Sequence, residues 1–353
     1  VHGPVEALFT VDEEQGLIGA NGIQPGFVTG KILLNLDSEE HGQLVIGCAG
    51  GVVAISTIPY TTEKTPDGLV FFDVHLNHFK GGHSGMEIAL GRGNANQQLA
   101  RFLFESGKQS PLRISKIEGG GLANAIPREA RALVGVPAAD VENFKNYAAL
   151  FSDMIHAEFL LSEGKDFTFT VKEAEAPAEV IDAKTARNLV NAVFACPNGV
   201  QGMSCAVEGL VETSCNLASV KMERPGEIDV TVHIRSSIDS RRDEVASRIE
   251  ALFSMLGANV VLDDAYVGWA PNPDSKVLDV ARKSFEDLFG ESPRVEALHA
   301  GLECGLFLEK MPGLDMISFG PTLKDIHSPS EKANIASVEK YWRFLTEIIR
   351  RLA

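Results

Sequence analysis

The feature that most constrains the fold is a change of hydrophobic texture that begins and ends inside the chain. Near both termini apolar residues come in short unbroken runs: VEALFTV (5–11), GLIGANGI (16–23), KILLNL (31–36) and QLVIGCAGG (43–51) at the head, VEAL (295–298) and MISFG (316–320) at the tail. Such runs suit strands covered on both faces of an α/β sheet. The tail adds helical periodicity over Val277–Phe289, GLECGLFLEK (301–310) and Ile335–Leu352. Between head and tail the texture shifts to longer alternating strands, LVFFDVHLNHF (69–79), PLRISKIE (111–118), REARALVGV (128–136), DFTFTVKEA (166–174) and EIDVTVHIRSS (227–237). Long amphipathic helices are expected there over Ala89–Glu105, Ala139–Leu161, Ala183–Phe194 and Arg241–Leu256. The order strand, helix, strand recurs at 128–173 and 227–264, the pattern of a duplicated layer. The expected architecture is an α/β catalytic domain, its sheet carrying helices on both faces, built from residues 1–51 and 268–353 and interrupted by an inserted α+β lid or dimerisation domain over 52–267.

Charge and cysteine content narrow the partners. With 32 basic against 48 acidic residues, the net charge of -16 has the wrong sign for nucleic acid or anionic lipid. No apolar run approaches the roughly 20 residues that span a bilayer. The 5 cysteines are odd in number and form no CxxC pair, so the expected setting is a reducing cytoplasm. VEALFTV opens almost at once, with no preceding element to pack beside it, and the chain is expected to be N-terminally incomplete.

Residues just after buried strands face the ligand crevice of an open α/β sheet. VEALFTV leads to Asp12, Glu13 and Glu14, KILLNL leads to Asp37, and MISFG leads through Gly320 and Pro321 to His327. Glu14, Asp37 and His327 would form an oxygen-rich site with one imidazole, suited to zinc, manganese or cobalt in hydrolysis. Of two adjacent glutamates, one can hold a metal while its neighbour takes a proton from water. Taken singly, each residue has an ordinary reading: a solvated turn for Asp12–Glu14, a cap for Asp37, a loop histidine for His327.

TVDEEQG, LNLDSEE, CAGG, FKGGHSG, GNAN, NAIPREA, VETSCNLA, HIRSSIDS, HAGLECGLF and SFGPTLKDIHSPSE follow one another from residue 10 onward. Together they resemble the bacterial aminoacyl-histidine dipeptidases, also called Xaa-His or β-alanyl-histidine dipeptidases, of the di-zinc metallopeptidases. The resemblance implies two zinc ions, Glu13 as general base, Glu14 and His327 on one zinc and Asp37 on the other. It also implies a His-x-Asp motif and a bridging aspartate, which would lie upstream of Val1; on that ground the chain by itself is expected to be inactive. His83 in KGGHSG is expected to stabilise an oxyanion across a homodimer formed by the insert. Asn124, Arg128 and Arg235 are donors able to hold a dipeptide's free carboxylate, and HAGLECG resembles a pocket-lining helix start with His299 and Gly301. Cys304 lacks the orienting partner of a thiol nucleophile. The alternatives are a related di-zinc aminoacylase or tripeptidase, and a non-catalytic dimerisation or peptide-binding module.

Overall fold

The computed structural model describes residues 1–13, 17–324, 326 and 330–353, so Glu14 and His327 lie outside the described residues. It is a mixed α/β fold with two principal sheets. The smaller runs in the order Ile32–Asn35, Asp315–Ser318, Gln43–Cys48, Arg294–Leu298. Its outer pairs are parallel, and one antiparallel bridge, Ser318 to Val45, joins them. Successive residues Leu44, Val45 and Ile46 point to opposite sides, and a register shift between Val45 and Cys48 turns Cys48 to the side of Val45. Leu44 and Ile46 pack with Phe285, Phe344 and Ile348 of the helices Lys276–Phe289 and Ile335–Arg351, whereas Val45 and Cys48 meet Cys304 of the helix Glu303–Lys310. Helices therefore cover both faces, as the unbroken apolar runs require.

The larger sheet is antiparallel. Its path is Asn259–Tyr266, Gly50–Pro59, Glu227–Ser236, Val211–Lys221, Arg113–Gly120, Ala130–Pro137, Leu69–Asn77, Thr168–Ala174, with Gly199–Met203 also paired to Val211–Lys221. Read from either edge inward, the path gives the same four-strand order. In each half the second strand is flanked by partners separated by a helix: Asp239–Ser254 in one, Val141–Glu158 in the other. The two halves meet through the pairs Ser219 to Gly120 and Val220 to Gly119. The recurrence seen at 128–173 and 227–264 is thus a doubled half-sheet, and one half is nested in sequence inside the other.

Two expected elements differ. Residues 5–11 form no strand: Val5, Phe9 and Val11 are 58%, 89% and 65% exposed. An apolar run becomes a strand only beside a partner ladder, and this one is held otherwise, by the Glu6 carboxylate accepting from the amides of Thr29 (2.9 Å) and Gly30 (2.8 Å). GLIGANGI holds the short helix Ile18–Gly22 instead of a strand. Gly19 passes so close to Val11 that a Cβ would lie 2.5 Å from its nitrogen. Among the described residues no helix is long and apolar enough to cross a membrane.

One continuous core underlies the larger sheet, and Phe102 of the helix Ala95–Gln109 is fully buried at its centre, its ring against Phe144, Tyr147, Phe151 and Phe169. Truncation there leaves a cavity that four rings cannot collapse to fill. Phe102→Ala should cost about 3–5 kcal/mol, read as a lower denaturant midpoint; a loss under about 1 kcal/mol would show that this cluster does not carry the core.

Candidate active site

A buried polar patch lies on the larger sheet. Alternation puts His233 and Arg235 on one face of Glu227–Ser236, and the register sets Asn216 opposite His233 and Ser214 opposite Arg235. All four residues are buried. On its other side Arg235 pairs with Gly51, which in turn pairs with Tyr266. A Cβ on Gly51 would sit 2.6 Å from Tyr266 Oη, so glycine is what lets the phenol lean over and accept from Arg235 Nη1 at 3.0 Å. Gly301 faces the same ring, 3.2 Å from a Cβ position to Tyr266 Cε2, which gives this glycine a packing reason.

Two further imidazoles reach the patch. His299 leaves the strand Arg294–Leu298 of the smaller sheet and brings Nε2 to 2.7 Å from Ser214 Oγ. His83 arrives on the KGGHSG turn, which presses on the same loop: a Cβ on Gly85 would lie 2.3 Å from the His299 carbonyl. The turn expected to act across a dimer is therefore seated against its own chain's His299. Burial, then the Arg235 charge, depress all three imidazoles, His233 to about 3, His299 to about 4 and His83 below its ordinary value. They are neutral near pH 7. Asn216 Oδ1, His233 Nδ1, Arg235 Nε and His299 Nδ1 are buried with no hydrogen-bond partner. Four polar atoms without a protein partner in one patch can be met by a polar ligand or by water.

Asn124 and Arg128 serve the turn. The Asn124 carbonyl accepts from the Ser84 amide at 2.8 Å, while the residue itself is exposed. Arg128 Nε donates to the Phe79 carbonyl at 3.0 Å, and its stem lies under Gly81, 2.5 Å from where a Cβ would be.

A second, acidic locus surrounds Asp37, which is exposed just beyond the strand Ile32–Asn35. Asn35 Oδ1 accepts from the Asp37 amide at 3.2 Å and from Ser318 Oγ at 2.6 Å, tying the Asp37 loop to the end of Asp315–Ser318, the strand that leads toward His327. Gly320 tightens the junction, its Cβ position falling only 1.6 Å from the Ser38 carbonyl. Glu13 is half-buried and directly follows Asp12, whose positive φ of 51° is uncommon for a residue with a side chain. Glu303 is buried and has one carboxylate oxygen, Oε1, unpartnered; burial raises its carboxyl, a Thr10 hydrogen bond opposes this, and the nearby Asp37 charge raises it further. Among the described residues no three His, Cys, Asp or Glu side chains gather as a metal-ligand group. The pairing of Asp37 with an orphaned Glu303 oxygen nonetheless fits a divalent cation that favours oxygen donors. Cys304 is fully buried, and burial holds its thiol well above the usual range, which agrees with its exclusion as a nucleophile.

Sequence reasoning passed over His233, Asn216, Ser214, Tyr266 and Glu303. His233 was within reach of it, because it stands two residues before Arg235 and so shares its strand face. Asn216, Ser214 and Tyr266 become visible only once the strand pairing is known, whereas Glu303 opens a helix within the HAGLECG stretch.

The whole length has close counterparts. Residues 1–351 match the model of Peptidase family M20/M25/M40. The cytosol non-specific dipeptidase of Escherichia coli (strain K12) is 39% identical over 352 residues, covering 100% of this chain and 72% of that protein. The crystal structure of aminoacylhistidine dipeptidase from Vibrio alginolyticus superposes with a TM-score of 0.96 at 39% identity, covering 100% of this chain and 71% of that one. A tripeptidase from Staphylococcus aureus shares the fold at 14% identity, with a TM-score of 0.51 and coverage of 97% and 62%. With a family match along nearly its full length and a relative of this identity, the chain belongs to peptidase family M20/M25/M40.

Proposed function

We propose that this enzyme is a cytoplasmic, zinc-dependent dipeptidase acting on Xaa-His dipeptides, β-alanyl-histidine among them. The observation that carries the reading is the buried patch of Arg235, Asn216, His233 and His299, whose unmet polar atoms suit the free carboxylate and the amide of a short peptide. A dipeptide offers that carboxylate one residue beyond the scissile bond. The 39% identity to a cytosol non-specific dipeptidase supports both the reaction and the compartment, and the likeness to an aminoacylhistidine dipeptidase supports the side-chain preference. We assign residues 1–51 and 268–353 to a catalytic domain and 52–267 to a lid that also forms a homodimer.

Each residue then has a distinct task. Arg235, steered by Tyr266, holds the carboxylate; Asn216 and His299 line the same pocket, while Asn124 and Arg128 hold the His83 turn. His83 donates to the oxyanion that forms on the carbonyl. Glu13 takes a proton from the attacking water and returns it to the leaving amine. Zinc, when bound by Glu14, Asp37 and His327, would supply the Lewis acidity that polarises the carbonyl and acidifies the water; manganese or cobalt suits the same donors. A related aminoacylase or tripeptidase is the competing reading, and a substrate panel with N-acyl amino acids, tripeptides and dipeptides separates the three.

Glu13→Gln removes the base and no metal ligand. In the full-length enzyme this variant should retain its zinc in elemental analysis while kcat falls by about 100- to 10,000-fold, and loss of zinc from it would mean that Glu13 is a ligand instead. Arg235→Met should raise KM for alanyl-histidine by about 10- to 100-fold, the worth of a charged hydrogen bond, yet leave the C-terminal amide of the same dipeptide little affected. An unchanged preference for the free acid over the amide would remove Arg235 from carboxylate binding.

A further inference from the structure

The turn that carries His83 is more heavily constrained than a loop needs to be. Gly81 and Gly82 both have positive φ, 64° and 135°. A Cβ on Gly82 would strike Arg92 Nη1 at 2.2 Å and Glu87 Oε2 at 2.5 Å, so the backbone lies directly on that ion pair. Glu87 Oε1 pairs with Arg92 Nη2 at 2.7 Å, and Arg92 also donates to the Gly81 carbonyl. Glu87 Oε2 accepts the His83 amide at 2.7 Å. Farther out, the buried Glu163 carboxylate takes the amides of Lys80 (2.6 Å) and Gly93 (2.7 Å), closing the base of the loop.

Within this frame the imidazole meets two donors on one side. The amides of Gly85 and Met86 both point at His83 Nδ1, at 3.2 Å and 3.1 Å. A backbone N–H cannot accept, so Nδ1 must offer its lone pair, and the proton of the neutral ring is left on Nε2. Nε2 makes no hydrogen bond within the turn.

We propose that Glu87 is a positioning residue for His83: by gripping the His83 amide it holds the ring where the Gly85 and Met86 amides occupy Nδ1, so that His83 is a fixed Nε2–H donor. This rests on the reading that His83 donates to the oxyanion, a task that the other tautomer would perform with the wrong nitrogen. The surroundings agree, since burial and the Arg235 charge keep the ring neutral against the opposing Glu87 charge, and its other titratable neighbours, His233 and His299, are themselves neutral.

The test reads the tautomer directly. In the metal-loaded full chain labelled with 15N-histidine, two-bond proton–nitrogen correlation spectra at neutral pH, with His83 identified by its loss in His83→Asn, should show an unprotonated Nδ1 and a protonated Nε2. Glu87→Ala should give a mixed-tautomer signal and a roughly tenfold fall in kcat with KM little changed. Glu87→Gln, which keeps an acceptor for the His83 amide, should restore both. A wild-type ring protonated on Nδ1, or a Glu87→Ala variant with an unaltered tautomer, overturns the proposal. Were Glu87→Ala not to fold, the wild-type and Glu87→Gln spectra would still decide. The oxyanion role stands or falls separately: His83→Asn should lower kcat on the order of 100-fold, and full turnover in that variant would reject the role while leaving the tautomer assignment in place.

Discussion

The site depends on one close approach, that of the Gly85 backbone to the His299 carbonyl. His83 belongs to the strands and turns of the larger sheet, whereas His299 ends a strand of the smaller one. Nothing larger than glycine fits between the two segments, since a Cβ at position 85 would lie 2.3 Å from that carbonyl. Through this contact, and through the Ser214 to His299 pairing at 2.7 Å, the patch on the larger sheet is brought up to the loops of the smaller one. Without it, Arg235 and His83 would line a surface of the lid facing no reactive group.

Burial then sets the chemistry. Three imidazoles gather round one guanidinium, a combination that would be repulsive if the rings were charged. Because desolvation depresses all three, they stand as neutral hydrogen-bonding groups and Arg235 is the one fixed positive charge among them. A pocket of that kind favours an anion without competing carboxylates of its own, while the carboxylates collect separately around Asp37 and Glu303. Segregation of donors and acceptors into two separate loci is what a peptide substrate, with a carboxylate at one end and a carbonyl to be polarised, would require.

Much of this was legible in the sequence, and the reasons for the exceptions are physical. Periodicity reports which faces of an element are apolar, so the long helices and the alternating strands that were named were found with errors only at their ends, as at Ala89–Glu105 against the observed Ala95–Gln109. Periodicity does not report partners. That is why VEALFTV read as a strand when it is not one, and why Gly50–Pro59, whose partners lie about 170 residues later, was not counted among the alternating strands. Among the residues of the buried patch, Arg235, His83 and His299 had been singled out from their motifs. Asn216 and Ser214 were not singled out because their importance comes from the residue opposite, and register is a property of two strands together.

The nested halves of the larger sheet also bear on how the chain comes to be folded. The inner half, from Leu69 to Ala174, is contiguous in sequence, so its strands meet after short loops and helices. The outer half cannot close until Glu227–Ser236 and Asn259–Tyr266 exist to receive Gly50–Pro59. During synthesis from the N-terminus, the inner half can therefore assemble while Gly50–Pro59 waits as an unpaired apolar strand. That interval is when the chain is most exposed to misassociation, and it ends with the arrival of the strand that carries Arg235.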